Sequence, residues 1–387
     1  MVITLNPKDF RDSTAGRCVK TPEGYWAFVP NPLPPKIGYD QKLISLLSDA
    51  DRQLGELSGT GRLLPNPYLL ISPYVHREAV SSSRIEGTQA SLDDLYLYEV
   101  AAKEKPRVDD VKEVRNYVLA MEHGLKLLNT LPISIRLIRE IHKVLMQDVR
   151  GNQATPGELR RTQNWIGRPG STPQTATIVP PPVGEMTTGL RDWEKYLHSK
   201  PSEPPLIQCA LMHLQFEAIH PFLDGNGRVG RLLITFFLIE RKHLTQPLLY
   251  LSSYFEKNRA EYYARLLAVS QEGDWHGWLE FFLEGVVAQT ADAIADSKRI
   301  LELNADYHNQ IAQAKSVPET ARRIVDEVFA NPFVSITVLS KKWELSFNSV
   351  KNGVTRLVEL GILEELPGRQ RNRLFVAKKL MELLSPR

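Results

Sequence analysis

The chain has 387 residues, with 48 Lys and Arg against 45 Asp and Glu and 42 % hydrophobic residues. That balance excludes a wholly disordered chain, which needs few apolar residues and a large net charge, and the length suits two or three domains. The longest apolar run, Leu232–Ile239 interrupted at Thr235, falls far short of the roughly 20 residues a membrane-spanning helix requires.

The first seventeen residues lack a basic stretch followed by a long apolar one, so no signal peptide is expected. Cys18 and Cys209 stand far apart, which argues against a disulfide framework and for a reducing, cytoplasmic setting without membrane attachment. Residues 1–40 are aperiodic, and the Pro-rich Asn31–Lys36 reads as an extended arm packed on something larger. From Asp40 apolar residues recur at helical spacing: Leu43, Leu46 and Leu47, then Val114, Val118, Met121 and Leu125, then Ile133–Met146. A break rich in Gly, Pro, Thr and Gln follows to about Val183. Within it, β-branched Thr175–Pro180 predicts a short hairpin strand or exposed flap. Helices are predicted over 186–197, 206–219, 228–242, 261–269, 278–287 and 288–314. Ser316-Val-Pro318 marks a boundary. Beyond it the pattern predicts helices over 320–330 and 336–343, and a third from an N-cap at Ser346 to Gly361. A hairpin of 362–366 and 373–377 completes a winged-helix order. The fold class is mainly α.

Chemistry concentrates in His220-Pro-Phe-Leu-Asp-Gly-Asn-Gly-Arg-Val-Gly-Arg231. Gly225, Gly227 and Gly230 match the dinucleotide fingerprint in form, but that motif needs a preceding strand and a βαβ unit. The stretch before it is helical, so the match fails on context. The alternative is an anion cradle between two helices. Pro221 ends the first helix at His220, and the C-terminal dipole is expected to favour a protonated imidazole there. Gly225-Asn226-Gly227 can turn backbone N–H groups inward at the start of a helix near Arg228. Arg228 and Arg231, three apart on one face, can grip further phosphate oxygens, and Asp224 at the mouth can hold Mg²⁺. This set of groups suits phosphoryl or nucleotidyl transfer.

The twelve residues resemble the signature of Fic-domain proteins. The resemblance implies a Fic-type helical bundle with a short β-hairpin flap, and transfer of AMP from Mg-ATP to a Ser, Thr or Tyr hydroxyl of a target protein, and of the protein itself. His220 would be the general base, with Asp224 on Mg²⁺. Gly225, Asn226 and Gly227 would line the anion hole. Arg228 and Arg231, with Val229 and Gly230 between them, would bind the outer phosphates. Ser82-Ser-Arg-Ile-Glu86-Gly87 resembles the family's inhibitory pattern, in which Glu86 would pair with Arg231 and misplace ATP. Thr177, Ile178 and Val179 fall where the family docks its target on a flap. Asn258 and Tyr262 resemble the segment closing the adenine and ribose pocket, though the aromatics also fit a core. Residues 25–35 resemble the arm of bacterial multidomain members, which also carry winged-helix tails. The expected organisation is an arm and inhibitory region at 1–105, a catalytic core at 106–288, a linking helix at 289–317 and a winged helix at 318–387.

From Glu319 onward there are 12 Lys and Arg against 8 Asp and Glu. Lys351, Arg356, Arg369, Arg371 and Arg373 could contact DNA phosphates, although winged helices also bind proteins. His213 and His220 lack a third partner for zinc, and no Gly-Lys-Ser/Thr P-loop occurs. Two other functions fit the same residues. One is removal of AMP from a modified protein, with Glu86 orienting water, and the other is a DNA-binding regulator with a nucleotide-sensing core. The target protein is unknown, and a homodimer is compatible with the pattern.

Overall fold

The computed structural model describes residues 6–10, 14–63, 67–101, 108–149, 155–168, 170–200, 203–367 and 373–385. In chain order the elements begin with β1 (Gly16–Lys20), β2 (Trp26–Pro30), α1 (Gln41–Leu63), α2 (Tyr68–Ile85), α3 (Leu92–Ala101), α4 (Val108–Leu127) and α5 (Ile135–Leu145). Next come α6 (Val183–His198), α7 (Pro205–Ile219), α8 (Asn226–Glu240), α9 (Ser252–Lys257), α10 (Arg259–Glu272) and α11 (Trp275–Gln313). The chain ends with α12 (Glu319–Val328), β3 (Phe333–Ser335), α13 (Ile336–Trp343), α14 (Phe347–Glu359), β4 (Glu364–Glu365), β5 (Leu374–Val376) and α15 (Lys378–Leu384).

The mainly helical class follows from burial. Helices α7 and α8 are apolar on nearly every face and occupy the centre, as an all-round hydrophobic helix must. Pro205 starts α7, where its missing N–H costs nothing. Around this pair pack α2, α4, α5, α6, α10 and α11, each with one apolar face. In α5 that face is Leu137, Ile138, Ile141, His142 and Leu145, and Ser134 Oγ caps its start by accepting from Leu137 N–H.

Three expectations change. The arm is not merely extended, since Gly16–Lys20 pairs antiparallel with Trp26–Pro30 and the hairpin packs on α6 and α7. The two helices predicted over 278–287 and 288–314 are one, α11, because no breaker separates them. Near the C-terminus the three helices and the hairpin occur, but β3 joins the sheet in order β3-β5-β4, and α15 follows. Ser72 Oγ donates to Ala330 O, and Asn331 Nδ2 donates to Tyr96 O and Glu99 Oε2, so this segment is fastened to α2 and α3. Arg369 and Arg371 lie outside the described residues. Arg356 and Arg373 pair with Glu359 and Glu365. Among the described residues, no helix is long and apolar enough to cross a membrane.

Candidate active site

The site is the turn joining α7 to α8. Pro221 cannot continue α7, and His220 ends it at φ 51°, ψ 62°, a left-handed conformation rather than the extended one usual before proline. Side chains from the segment before α6 hold this turn. Arg160 Nε and Asn164 Nδ2 donate to His220 O at 2.9 and 3.2 Å, and Asn164 Nδ2 donates to Phe222 O at 2.7 Å. Asn226 accepts from Phe222 N–H and donates to Phe222 O, both at 2.8 Å. From α5, the His142 ring stacks on Phe222 with centroids 3.8 Å apart. Its Nδ1 accepts from Gly157 N–H, so Nε2 carries the proton and donates to Asp224 O. The Asn226 side chain therefore ties the loop together.

His220 Nδ1 lies 3.1 Å from Glu217 O, an acceptor, so the Nδ1 is the protonated nitrogen and Nε2 keeps a free lone pair. Desolvation pushes this imidazole down to about 4. The expected preference for the protonated form is reversed, because loss of water around the ring outweighs the helix dipole. At neutral pH His220 is an uncharged base.

Gly225, at φ 79°, supplies the left-handed turn that starts α8, two residues earlier than expected. The leading N–H groups of α8 have no acceptor within the helix. The two arginines part company. Arg228 is directed to α4 and the loop, with Nη1 3.5 Å from Glu113 and Nη2 3.7 Å from Asp224. Its Nε and Nη1 are buried with no hydrogen-bond partner among the described residues, a deficit that an anion in the cradle would relieve. Asp224 projects its carboxylate to solvent at the mouth, with Oδ1 accepting from Gly225 N–H.

Arg231 is directed to α2. Its Nε donates to Ser82 Oγ at 2.8 Å, and its Nη2 donates to Ser82 O at 3.0 Å and to Glu86 Oε1 at 2.6 Å. Glu86 is the residue after α2, and Gly87 at φ 102° turns the chain away. Burial alone would raise the Glu86 carboxyl, but the Arg231 guanidinium outweighs it and holds the carboxyl below its ordinary value. The carboxylate lies over the cradle itself, since a Cβ on Gly227 would collide with Glu86 Oε1.

The expected flap differs from its predicted form. Thr177 and Ile178 are half-buried, and Ile178 forms a single antiparallel bridge to Ile166, not a full hairpin strand. Val179 is not at a tip. It is buried with Tyr25, Ala27 and Ala176, and its carbonyl accepts from Phe28 N–H. Tyr262 is core, with its hydroxyl 2.9 Å from His213 Nε2, and Asn258 donates to Tyr254 O. Arg160, Asn164, His142, Glu113 and Glu217 were missed by sequence reasoning. Only His142 left a signal, a polar residue on the apolar face of a strongly amphipathic helix.

Residues 44–126 match the model "Fic/DOC family N-terminal" and residues 132–238 match "Fic/DOC family". The chain is 26 % identical over 226 residues to "Protein adenylyltransferase Fic" of Drosophila yakuba, covering 56 % of this chain and 42 % of that protein. The protein of that name from Drosophila grimshawi is 29 % identical over 180 residues, covering 46 % and 34 %. The chain thus spans less than half the length of these curated relatives. The crystal structure of a Fic family protein from Desulfovibrio desulfuricans G20 superposes with a TM-score of 0.59 at 20 % identity, over 89 % of this chain and 98 % of that one, and so shares its fold.

Proposed function

Residues 44–126 and 132–238 belong to the Fic/DOC family, and we propose on that footing that the chain transfers AMP from ATP to a hydroxyl of a target protein and is restrained by its own Glu86. The observation that carries this reading is the 2.6 Å contact of Glu86 Oε1 with Arg231 Nη2, laid over Gly227. A carboxylate occupies the guanidinium and the glycine floor that would otherwise receive the outer phosphates of a nucleotide.

In the transfer, the free lone pair of His220 Nε2 takes the proton of the attacking hydroxyl. The hydroxyl oxygen bonds to the α-phosphorus, the α–β anhydride bond breaks, and pyrophosphate leaves with the electron pair. Charge on the transferred phosphoryl is met by the leading N–H groups of α8 and by Arg228, whose buried Nε has no hydrogen-bond partner among the described residues. Arg231, once released from Glu86, takes the outer phosphates. Asp224, an exposed carboxylate at the mouth of the turn, is a hard oxygen donor of the kind Mg²⁺ takes and would hold the ion there. Bound there, Mg²⁺ would neutralise phosphate charge. The Ile166–Ile178 bridge beside the turn supports a docking edge for the target segment, anchored by buried Val179. The α12–β5 segment is read as a winged helix. The engagement of Arg356 and Arg373 with acidic neighbours favours a protein partner over DNA.

Incubating the Glu86→Gly variant with Mg²⁺ and ATP labelled at the α-phosphate should label the protein, and adding His220→Ala should remove the label. A Glu86→Gly protein that binds ATP yet transfers no AMP to itself or to any protein in a lysate would refute the reading.

A further inference from the structure

The glycine floor of the site extends one turn further along α8 than the transfer mechanism uses. Gly227 and Gly230, three residues apart, share a helix face. A Cβ on Gly227 would collide with Glu86 Oε1, and a Cβ on Gly230 would collide with Glu217 Oε1. Two carboxyl groups therefore rest on one floor, but Arg231 bonds only the first. Its Nε and Nη2 are spent on Ser82 and Glu86. Glu217 Oε1 is closed to solvent and has no hydrogen-bond partner among the described residues, which is costly to leave so. The residue lies one turn before the base on α7, and its carbonyl accepts from His220 Nδ1–H.

We infer that Glu217 contacts the nucleotide, entering the complex as the uncharged acid and donating its carboxyl proton in a hydrogen bond to the bound nucleotide. The inference rests on the transferase reading above. A polyanion drawn onto the floor by Arg231 and the α8 N–H groups displaces Glu86, but it cannot approach a second carboxylate without repulsion. Protonation removes the repulsion and turns an orphaned acceptor into a donor. The groups facing Glu217 are Arg231 from α8, Glu86 beyond α2, and Tyr262 and Tyr263 from α10. Burial raises its carboxyl to about 7, Arg231 lowers it and Glu86 raises it, so a proton is at hand near neutral pH. The proton comes from solvent on binding and returns there on product release, with no covalent bond changed.

The test titrates Mg²⁺ and α,β-methylene-ATP, whose α–β linkage cannot break, into the Glu86→Gly protein at pH 7.5 by calorimetry. Two buffers of unlike ionisation enthalpy are used. The binding enthalpy should differ between buffers by the amount for net proton uptake. In Glu86→Gly with Glu217→Gln, which mimics the neutral acid, that difference should vanish while Kd stays within about 3-fold, less than a typical lost hydrogen bond would cost. Glu217→Ala in the same background should weaken binding at least about 5-fold. Binding without buffer dependence, or Gln as damaging as Ala, overturns the role of Glu217 and leaves the transferase reading standing. No binding at all to Glu86→Gly overturns both.

Discussion

Replacing Glu86 by Gln keeps the shape of the inhibitory side chain and removes its charge. Arg231 is 1 % exposed and Glu86 36 %. A fully buried pair loses about 3–5 kcal/mol when one partner is removed, and an exposed pair about 0–1 kcal/mol. This pair is open on the carboxylate side, so solvent screening places it between those limits. A charge-assisted hydrogen bond of about 1.5–3 kcal/mol is the fitting figure. Converted at 1.4 kcal/mol per decade, Glu86→Gln should raise the initial rate of AMP incorporation about 10- to 150-fold at subsaturating ATP. Ser82→Ala removes the Nε–Oγ bond but keeps the charge pair, so it should raise the rate by less than Glu86→Gln. The assay is initial-rate self-labelling from α-labelled ATP, with unfolding midpoints measured alongside to confirm folded protein. A Glu86→Gln rate within 2-fold of the parent, or Ser82→Ala exceeding Glu86→Gln, would show that the ion pair is not the restraint.

Released from inhibition by Glu86→Gly, kcat/KM should depend on pH with an acid limb at or below about 4, not near the ordinary histidine value, because His220 must be neutral to accept a proton and loses the upward pull of Glu86. The alkaline limb should begin at or below about 7 and disappear in Glu217→Gln, since Glu217 must hold its proton. The same lowered His220 value bears on stability. Its contribution is fully present above the unfolded value of about 6.5 and is lost as pH falls toward about 4, where unfolding takes up a proton. Arg160→Ala removes donors to His220 O, Thr162 O and Pro181 O. It should lower the unfolding midpoint and cut kcat more than it raises KM for ATP, and equal effects on both would contradict a role in setting the His220 backbone. Chelation of Mg²⁺ or Asp224→Ala should abolish transfer in the Glu86→Gly background, and label that persists with excess chelator would exclude Asp224 as the metal-holding carboxylate.

The order of chemistry along the chain was legible because each piece depended on local rules. A proline ends α7 and a left-handed glycine starts α8. Amphipathic spacing showed most of the helices, and the pairing of a distant acidic residue with Arg231 was expected from a motif. The hairpin of the arm was not legible, since its strands are defined by the pairing of Gly16–Lys20 with Trp26–Pro30 and not by alternation. Helix ends drifted by one to three residues, as helix termini fray and spacing marks them poorly.

Sequence alone determined which groups lie along the turn, because a base, a carboxylate, glycines and arginines fall within twelve residues. Tertiary structure alone decided their states. Desolvation made His220 neutral where the helix dipole suggested a cation, and neighbours on α2 and α4 sent Arg231 and Arg228 in opposite directions. Burial and through-space partners are sums over residues far apart in the chain, and local spacing carries no record of them.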